Sequence, residues 1–136
     1  MIKEIVTDPL FLSRKAQACQ KKDLGLAQDL LDTLSFHKEN CLGLAANMIG
    51  VAKAAIIIDT GLAPLVLFNP KIIEKSQIYL TQESCLSHTG SKPCQRYQSI
   101  KVAYQDRNFQ DQVIQLDGLL AQICQHEMDH LDGRLI

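Results

Sequence analysis

At 136 residues the chain fits one domain spanning 1–136, and a domain of that size buries roughly two-thirds of the surface its unfolded form would expose. A composition 46% hydrophobic and 21% charged, with 14 basic against 15 acidic residues, argues against disorder and against direct nucleic-acid binding, and the balance of charge names no partner. The first nine residues mix Lys3, Glu4 and Asp8 without the apolar core of a secretory leader, and no apolar run approaches the ~18 residues of a membrane span, so a cytoplasmic location away from membranes is the default expectation.

In chain order, the first predicted element is a helix over Asp23–His37. Leu24, Ala27, Leu30, Leu31 and Leu34 recur there at helical spacing, and Asp23 stands where an N-cap belongs. After Val51 the texture changes. Ala54–Ile58 and Leu65–Phe68 are short apolar runs, bounded by Asp59-Thr60-Gly61 and Asn69-Pro70, and read as strands; Ile72–Glu74 and Ile78–Gln82 are weaker strand candidates. Ile100, Val102 and Tyr104 alternate with Ser99, Lys101 and Ala103, the period of a half-buried strand, and Asp106–Phe109 would turn it into Gln112–Leu116. The last element, Gly118–Leu131, has room for about four helical turns, with Asp117 as N-cap and Gly133 as stop. The order helix, strands, helix predicts an α+β domain in which antiparallel sheets pack around a C-terminal helix.

Five cysteines without a C-x-x-C spacing, in a compartment that keeps thiols reduced, are read one at a time. Cys19, Cys41 and Cys124 read as small buried apolar residues, and Cys94 is left undecided. Cys85 directly follows a predicted strand, where its thiolate could face the final helix.

That final helix carries the chemistry. Stepping about 100° per residue from Leu119 puts Leu119, Leu120, Ile123, Cys124 and Leu131 on one broad face and Gln122, Gln125, Asp129 and Asp132 on the other. Glu127 lands among the apolar residues, flanked by His126 and His130. An uncompensated buried carboxylate costs several kcal/mol, so a Glu in that place implies a charge partner, a metal or a raised pKa with a catalytic use. His126-Glu127-Met128-Asp129-His130 is the H-E-x-x-H pattern: histidines four apart project side by side and can both ligate a metal, with the Glu in reach of a bound water. A hydrolytic centre needs a third protein ligand, for which His37 and His88 offer no pattern and read as partly exposed histidines; Cys85 is the candidate.

Three short stretches in fixed order resemble the peptide deformylase family: Gly43-Leu44-Ala45-Ala46 through Gly50, Glu83-Ser84-Cys85-Leu86-Ser87, and Gln125-His126-Glu127-Met128-Asp129-His130-Leu131 through Gly133. The likeness extends over nearly the whole chain. It implies a deformylase-like fold and one divalent metal, Fe(II) or in some members Zn(II) or Ni(II), held by Cys85, His126 and His130. It implies hydrolysis of the N-formyl group from the initiator methionine of nascent chains, with release of formate and with Glu127 moving protons. By the same likeness the backbone N–H of Leu86 faces the developing oxyanion, Gly43 contacts substrate, and Leu42, Leu119 and Ile123 line the pocket for the methionine side chain. On the sequence alone Gly43, Ala45 and Ala46 fit equally a peptide pairing as an added strand and tight core packing.

The chain departs from the pattern at Met48, where the family has a Gln whose amide donates to the formyl oxygen. A thioether cannot donate, and loss of one oxyanion donor costs about 10²–10³ in turnover. Asn47 could replace it only through a local kink if the segment is extended. Cys41 and Ser84 replace glycines, Thr89 replaces a proline, and Arg96 falls near a family arginine that pairs with Glu83. The chain stops at Ile136, short of the extension many members carry, which leaves a transient ribosome contact without support in the sequence. Three functions are compatible: a working deformylase, or one with activity reduced by Met48; a catalytically silent deformylase-like module that binds N-terminal peptides; and an endopeptidase, which a thiolate ligand from a separate strand argues against.

Overall fold

The computed structural model describes residues 1–87 and 89–136. His88, read from sequence as partly exposed, lies outside the described residues.

A first short helix, α1 (Pro9–Leu12), escapes the periodicity argument because one turn is too brief to show a period. Its start is nonetheless written locally: the Asp8 carboxylate accepts from the Leu10 N–H at 3.0 Å, and Pro9 occupies the first helical position, where its missing donor costs nothing. The next helix, α2 (Leu26–Phe36), begins later than expected. Lys21–Asp23 form a 3-10 turn instead, in which Asp23 accepts from the Gln20 N–H at 2.8 Å and faces Lys53 at 3.8 Å, so it is not the cap of α2. Ala27, Leu30 and Leu34 are buried as their spacing requires, while Leu24 and Leu31 are half-buried.

Five strands, β1 (Gly43–Ala45), β2 (Ala55–Asp59), β3 (Pro64–Ser84), β4 (Ser91–Gln105) and β5 (Asp111–Asp117), pair in chain order as one antiparallel sheet rather than several. The three strand segments expected between Leu65 and Gln82 are one 21-residue strand. The interruption at Asn69-Pro70 is absorbed by a shift of register between Phe68 and Lys71, the kind of bulge that accommodates a residue lacking N–H. Asn69 sits there at φ 51°, anchored by its side chain: Oδ1 accepts from the Cys19 N–H at 2.7 Å and Nδ2 donates to the Cys19 carbonyl at 3.1 Å.

The C-terminal helix, α3 (Gly118–Leu131), lies across this sheet and buries Ala121, Ile123, Cys124 and Leu131 against a core that includes Leu44, Ile56, Ile57, Leu67 and Ile100. Leu119 and Gln125 both depart from the expected wheel. Leu119 is 59% exposed and lines an open cleft rather than the core. Gln125, placed by the wheel on the polar side, is buried. Its reason is visible in the pairing: β5 ends opposite Ser99, so the edge of β4 beyond that point lacks a neighbour. Gln125 supplies one, accepting from the Tyr97 N–H and donating to the Tyr97 carbonyl, both at 2.8 Å. Cys19, Cys41 and Cys124 are buried free thiols, and burial pushes the Cys124 thiol up to about 12, as inert packing residues require. No described helix is long and apolar enough to cross a membrane.

Candidate metal centre

His126 and His130 are one turn apart on α3, with ring centroids 5.0 Å from each other. Cys85 follows the last residue of β3, and its Sγ lies 3.3 Å from the His130 Nε2. One donor atom from each of Cys85, His126 and His130 falls within 4.8 Å of the others. One thiolate and two imidazoles suit a tetrahedral divalent ion that keeps one position open, and both histidines are buried.

The surroundings of His126 fit a ligand as well. Its Nδ1 lies 2.6 Å from Glu83 Oε1, and a carboxylate only accepts, so Nδ1 carries the proton and Nε2 is left for a metal. Burial disfavours the imidazolium, yet hydrogen bonds to Cys85 and Glu83 outweigh it and hold the pKa at about 10. The ring thus sits between the Glu83 carboxylate and the Cys85 sulfur, both of which favour positive charge on it. Burial also opposes ionisation of Glu83, but the His126 and Arg96 hydrogen bonds overcome it and keep the carboxyl well below the usual carboxylate range.

Arg96 is the hub behind this layer. Its Nε and Nη2 donate to Glu83 at 2.9 and 2.7 Å, a two-point clamp, and its Nη1 donates to Asp129 at 2.6 Å. The expected Glu83–Arg96 pair is therefore present, with Asp129 as an additional member. Cys94, undecided from sequence, joins the same cluster by donating its S–H to Glu83 at 3.3 Å. Gln122 also donates to Glu83, at 3.0 Å, and its Oε1 lies 3.3 Å from the Tyr79 hydroxyl. The wheel puts Asp129 and Gln122 on the face opposite the apolar one. The β3–β4 hairpin covers that side, and a one-helix wheel cannot anticipate a second buried face. Tyr79, Glu83 and Arg96 alternate on the covering strands, which is the one trace such a face leaves in sequence.

Glu127 lies between the two histidines in sequence, 4% exposed, and its Oε1 has no hydrogen-bond partner among the described residues. Burial pushes its carboxyl up to about 7, against the attraction of His126. A buried carboxyl with a free oxygen, raised toward neutrality beside three candidate ligands, suits proton transfer to and from a water.

Leu42, Gly43, Met48, Cys85, Leu86, Leu119, Ile123, His126 and Glu127 all line one cleft of ≈ 270 Å³, with Cys41, Gln82, Glu83 and Gln122 among its other walls. His130 lies behind it, fully buried. Gly43 is in close quarters: a Cβ there would stand 2.8 Å from Ile123 Cγ2 and 3.1 Å from Glu127 Cγ, so the absence of a side chain lets α3 approach β1. Among the described residues the other edge of β1 has no strand beside it, which leaves both readings of the small residues compatible with one geometry.

Met48 and Asn47 part company. Ala46–Ile49 form a 3-10 turn rather than continuing the strand, so neighbours do not simply alternate. Met48 lines the cleft, its Sδ 3.5 Å from the Ala45 N–H. Asn47 points at the far end of α3, donating to the His130 carbonyl at 2.8 Å, and does not replace the missing donor.

Comparison with known proteins agrees over the whole chain. The sequence model of the polypeptide deformylase family matches residues 2–136. A peptide deformylase of Clostridium beijerinckii is 46% identical over 136 residues, covering all of both chains, and one of Dictyoglomus thermophilum is 40% identical, covering all of this chain and 91% of its own. Among solved structures, a peptide deformylase from Legionella pneumophila superposes with a TM-score of 0.89 at 30% identity, over 99% of this chain and 83% of the other. The Thermotoga maritima enzyme gives 0.88 at 30% identity, over 99% and 95%.

Proposed function

The chain belongs to the polypeptide deformylase family, and on that premise we propose that it removes the N-formyl group from the initiator methionine of nascent polypeptides in the cytoplasm, releasing formate. The observation that carries this reading is Glu127: a buried carboxyl with a free oxygen, raised to about 7, beside a cluster of Cys85, His126 and His130 at the base of a cleft.

Cys85, His126 and His130 would hold one divalent ion, Fe(II) in the cell, with Zn(II) or Ni(II) as alternatives. A metal in such a site lowers the pKa of a bound water toward about 7 and polarises a carbonyl. Glu127, buried with one oxygen free, takes the proton of the attacking water and delivers it to the departing amine. Glu83 fixes the His126 tautomer, and Arg96 holds Glu83. Leu42, Leu119 and Ile123 receive the methionine side chain, and the open edge of β1 at Gly43 takes the peptide backbone as an added strand.

At the oxyanion the chain is one donor short. The Leu86 backbone N–H serves there, whereas Met48 offers sulfur that accepts rather than donates. Turnover is accordingly slow. Met48 also favours a second reading, in which the same cleft binds N-terminal peptides without hydrolysing them.

Formate release from a formyl-Met peptide by anaerobically prepared protein separates the two. We expect about one metal ion per chain, turnover by the parent, and a loss of about 10²–10⁴-fold in Glu127→Ala with its metal retained. Equal release by parent and variant would remove Glu127 from the mechanism, and metal retained by Cys85→Ala would refute the three-ligand site.

A further inference from the structure

Gln122 is one of several polar residues in the cleft wall, and on α3 it stands beside the apolar Leu119 and Ile123. Leu42, Leu119 and Ile123 form an apolar pocket wall, and Gln122 puts a primary amide among them. The orientation of that amide is fixed by its neighbours. The Glu83 carboxylate can only accept, so the Gln122 nitrogen faces it, at 3.0 Å. The Tyr79 hydroxyl then meets the Gln122 oxygen at 3.3 Å. One of the two Nε2–H bonds is spent on Glu83, and the second has no acceptor among the described residues. Gln122 is half-buried, so in the free protein water can serve that donor.

A side chain entering the pocket displaces that water. If it ends in hydrocarbon, the amide N–H is left unpaired in a partly desolvated place, which is unfavourable. A thioether sulfur is a weak acceptor and relieves this only in part. A sulfoxide oxygen is a strong one. Building on the deformylase reading, we propose that Gln122 is a specificity-determining residue that makes the pocket prefer a first side chain ending in a hydrogen-bond acceptor, so that N-formyl-methionine sulfoxide is accepted as a substrate. The competing role for Gln122 is purely structural, as one of several groups holding Glu83.

The test compares metal-loaded parent, Gln122→Leu and Tyr79→Phe on three peptides that differ only in the first residue: formyl-methionine, formyl-methionine sulfoxide and formyl-norleucine. Selectivity is read as the ratio of kcat/KM for sulfoxide over norleucine. The same ratio is measured as equilibrium affinity by calorimetry on the metal-loaded Glu127→Ala protein, with and without Gln122→Leu, where turnover is not needed. We expect the ratio to fall about tenfold in Gln122→Leu by both readouts, as loss of one hydrogen bond implies, and by less in Tyr79→Phe, which only loosens the amide. Equal ratios in parent and Gln122→Leu, or a change that scales all three peptides alike, overturn the proposal and leave Gln122 a support for Glu83. If the parent hydrolyses none of the peptides while the affinity ratio still shifts, the deformylase reading fails and the pocket assignment survives. If none of the peptides binds, both fail.

Discussion

The two sides of the cleft are built differently. On the α3 and β3–β4 side, polar groups are numerous and densely bonded: Glu83 alone receives hydrogen bonds from Arg96, His126, Gln122 and Cys94. On the side made by β1 and the 3-10 turn after it, the groups are small or apolar, and Gly43, Ala45, Ala46 and Met48 are packed without a charge among them. The first side can hold an ion and fix its ligands. The second can position a backbone but offers no side-chain donor at Met48. On the proposed function, the metal ligands rest on the first side while position 48 rests on the second, so the contribution of position 48 can be lost while the ligands stay whole.

The largest effect expected from breaking this contrast comes from Glu127, the group on the polar side that lacks a full set of partners. Its pKa is raised from 4.5 to about 7 by burial, so the folded metal-free protein binds more protons than the unfolded one across that interval. This stabilisation is complete below about pH 4.5 and is lost as pH rises through about 7. Denaturant titrations of metal-free protein at pH 5 and pH 8 should find Glu127→Gln less sensitive to this rise than the parent by about 2–3 kcal/mol. A parent and variant with parallel pH profiles would mean that Glu127 is solvated in solution.

Next is Glu83→Gln, which keeps the size of the side chain but removes the charge that orients His126 and holds Arg96. Metal affinity should fall about 10–100-fold in competition with a chelator, with the fold intact by circular dichroism. Unchanged affinity would reduce the cluster behind His126 to packing. On the apolar side, Gly43→Ala should destabilise the protein by about 1–3 kcal/mol, because the new methyl meets Ile123 and Glu127 and α3 must retreat from β1. A neutral result in thermal unfolding would favour the peptide-pairing role of Gly43 over packing.

The same division decides how much could be read from sequence. The His126-Glu127-x-x-His130 face is legible because one helix fixes the spacing, and a carboxylate on an apolar stripe announces that something compensates it. Cys85 is legible as a ligand candidate because a strand precedes it. A wheel puts Gln122, Gln125 and Asp129 opposite the apolar face of α3, and it cannot show that a second surface, the β3–β4 hairpin, covers that side. The long β3 reads as separate pieces because Asn69-Pro70 ends a strand by every local rule, and only the anchoring of Asn69 to Cys19, 50 residues away, carries the pairing past it. Residues 46–49 do not continue the strand. Their 3-10 turn places Met48 in the cleft and sends Asn47 to the His130 carbonyl, a contact between positions 83 residues apart that no local pattern encodes.

The account stands most directly on Met48. The single-turnover rate of formate release from formyl-Met peptide should be compared between parent and Met48→Gln, both carrying about one metal ion per chain. A gain of about 10²-fold or more in Met48→Gln, with substrate affinity little changed, is the predicted result, since the restored amide acts on charge that develops only in the transition state. No formate from either protein at full metal loading, or equal rates from both, would contradict it.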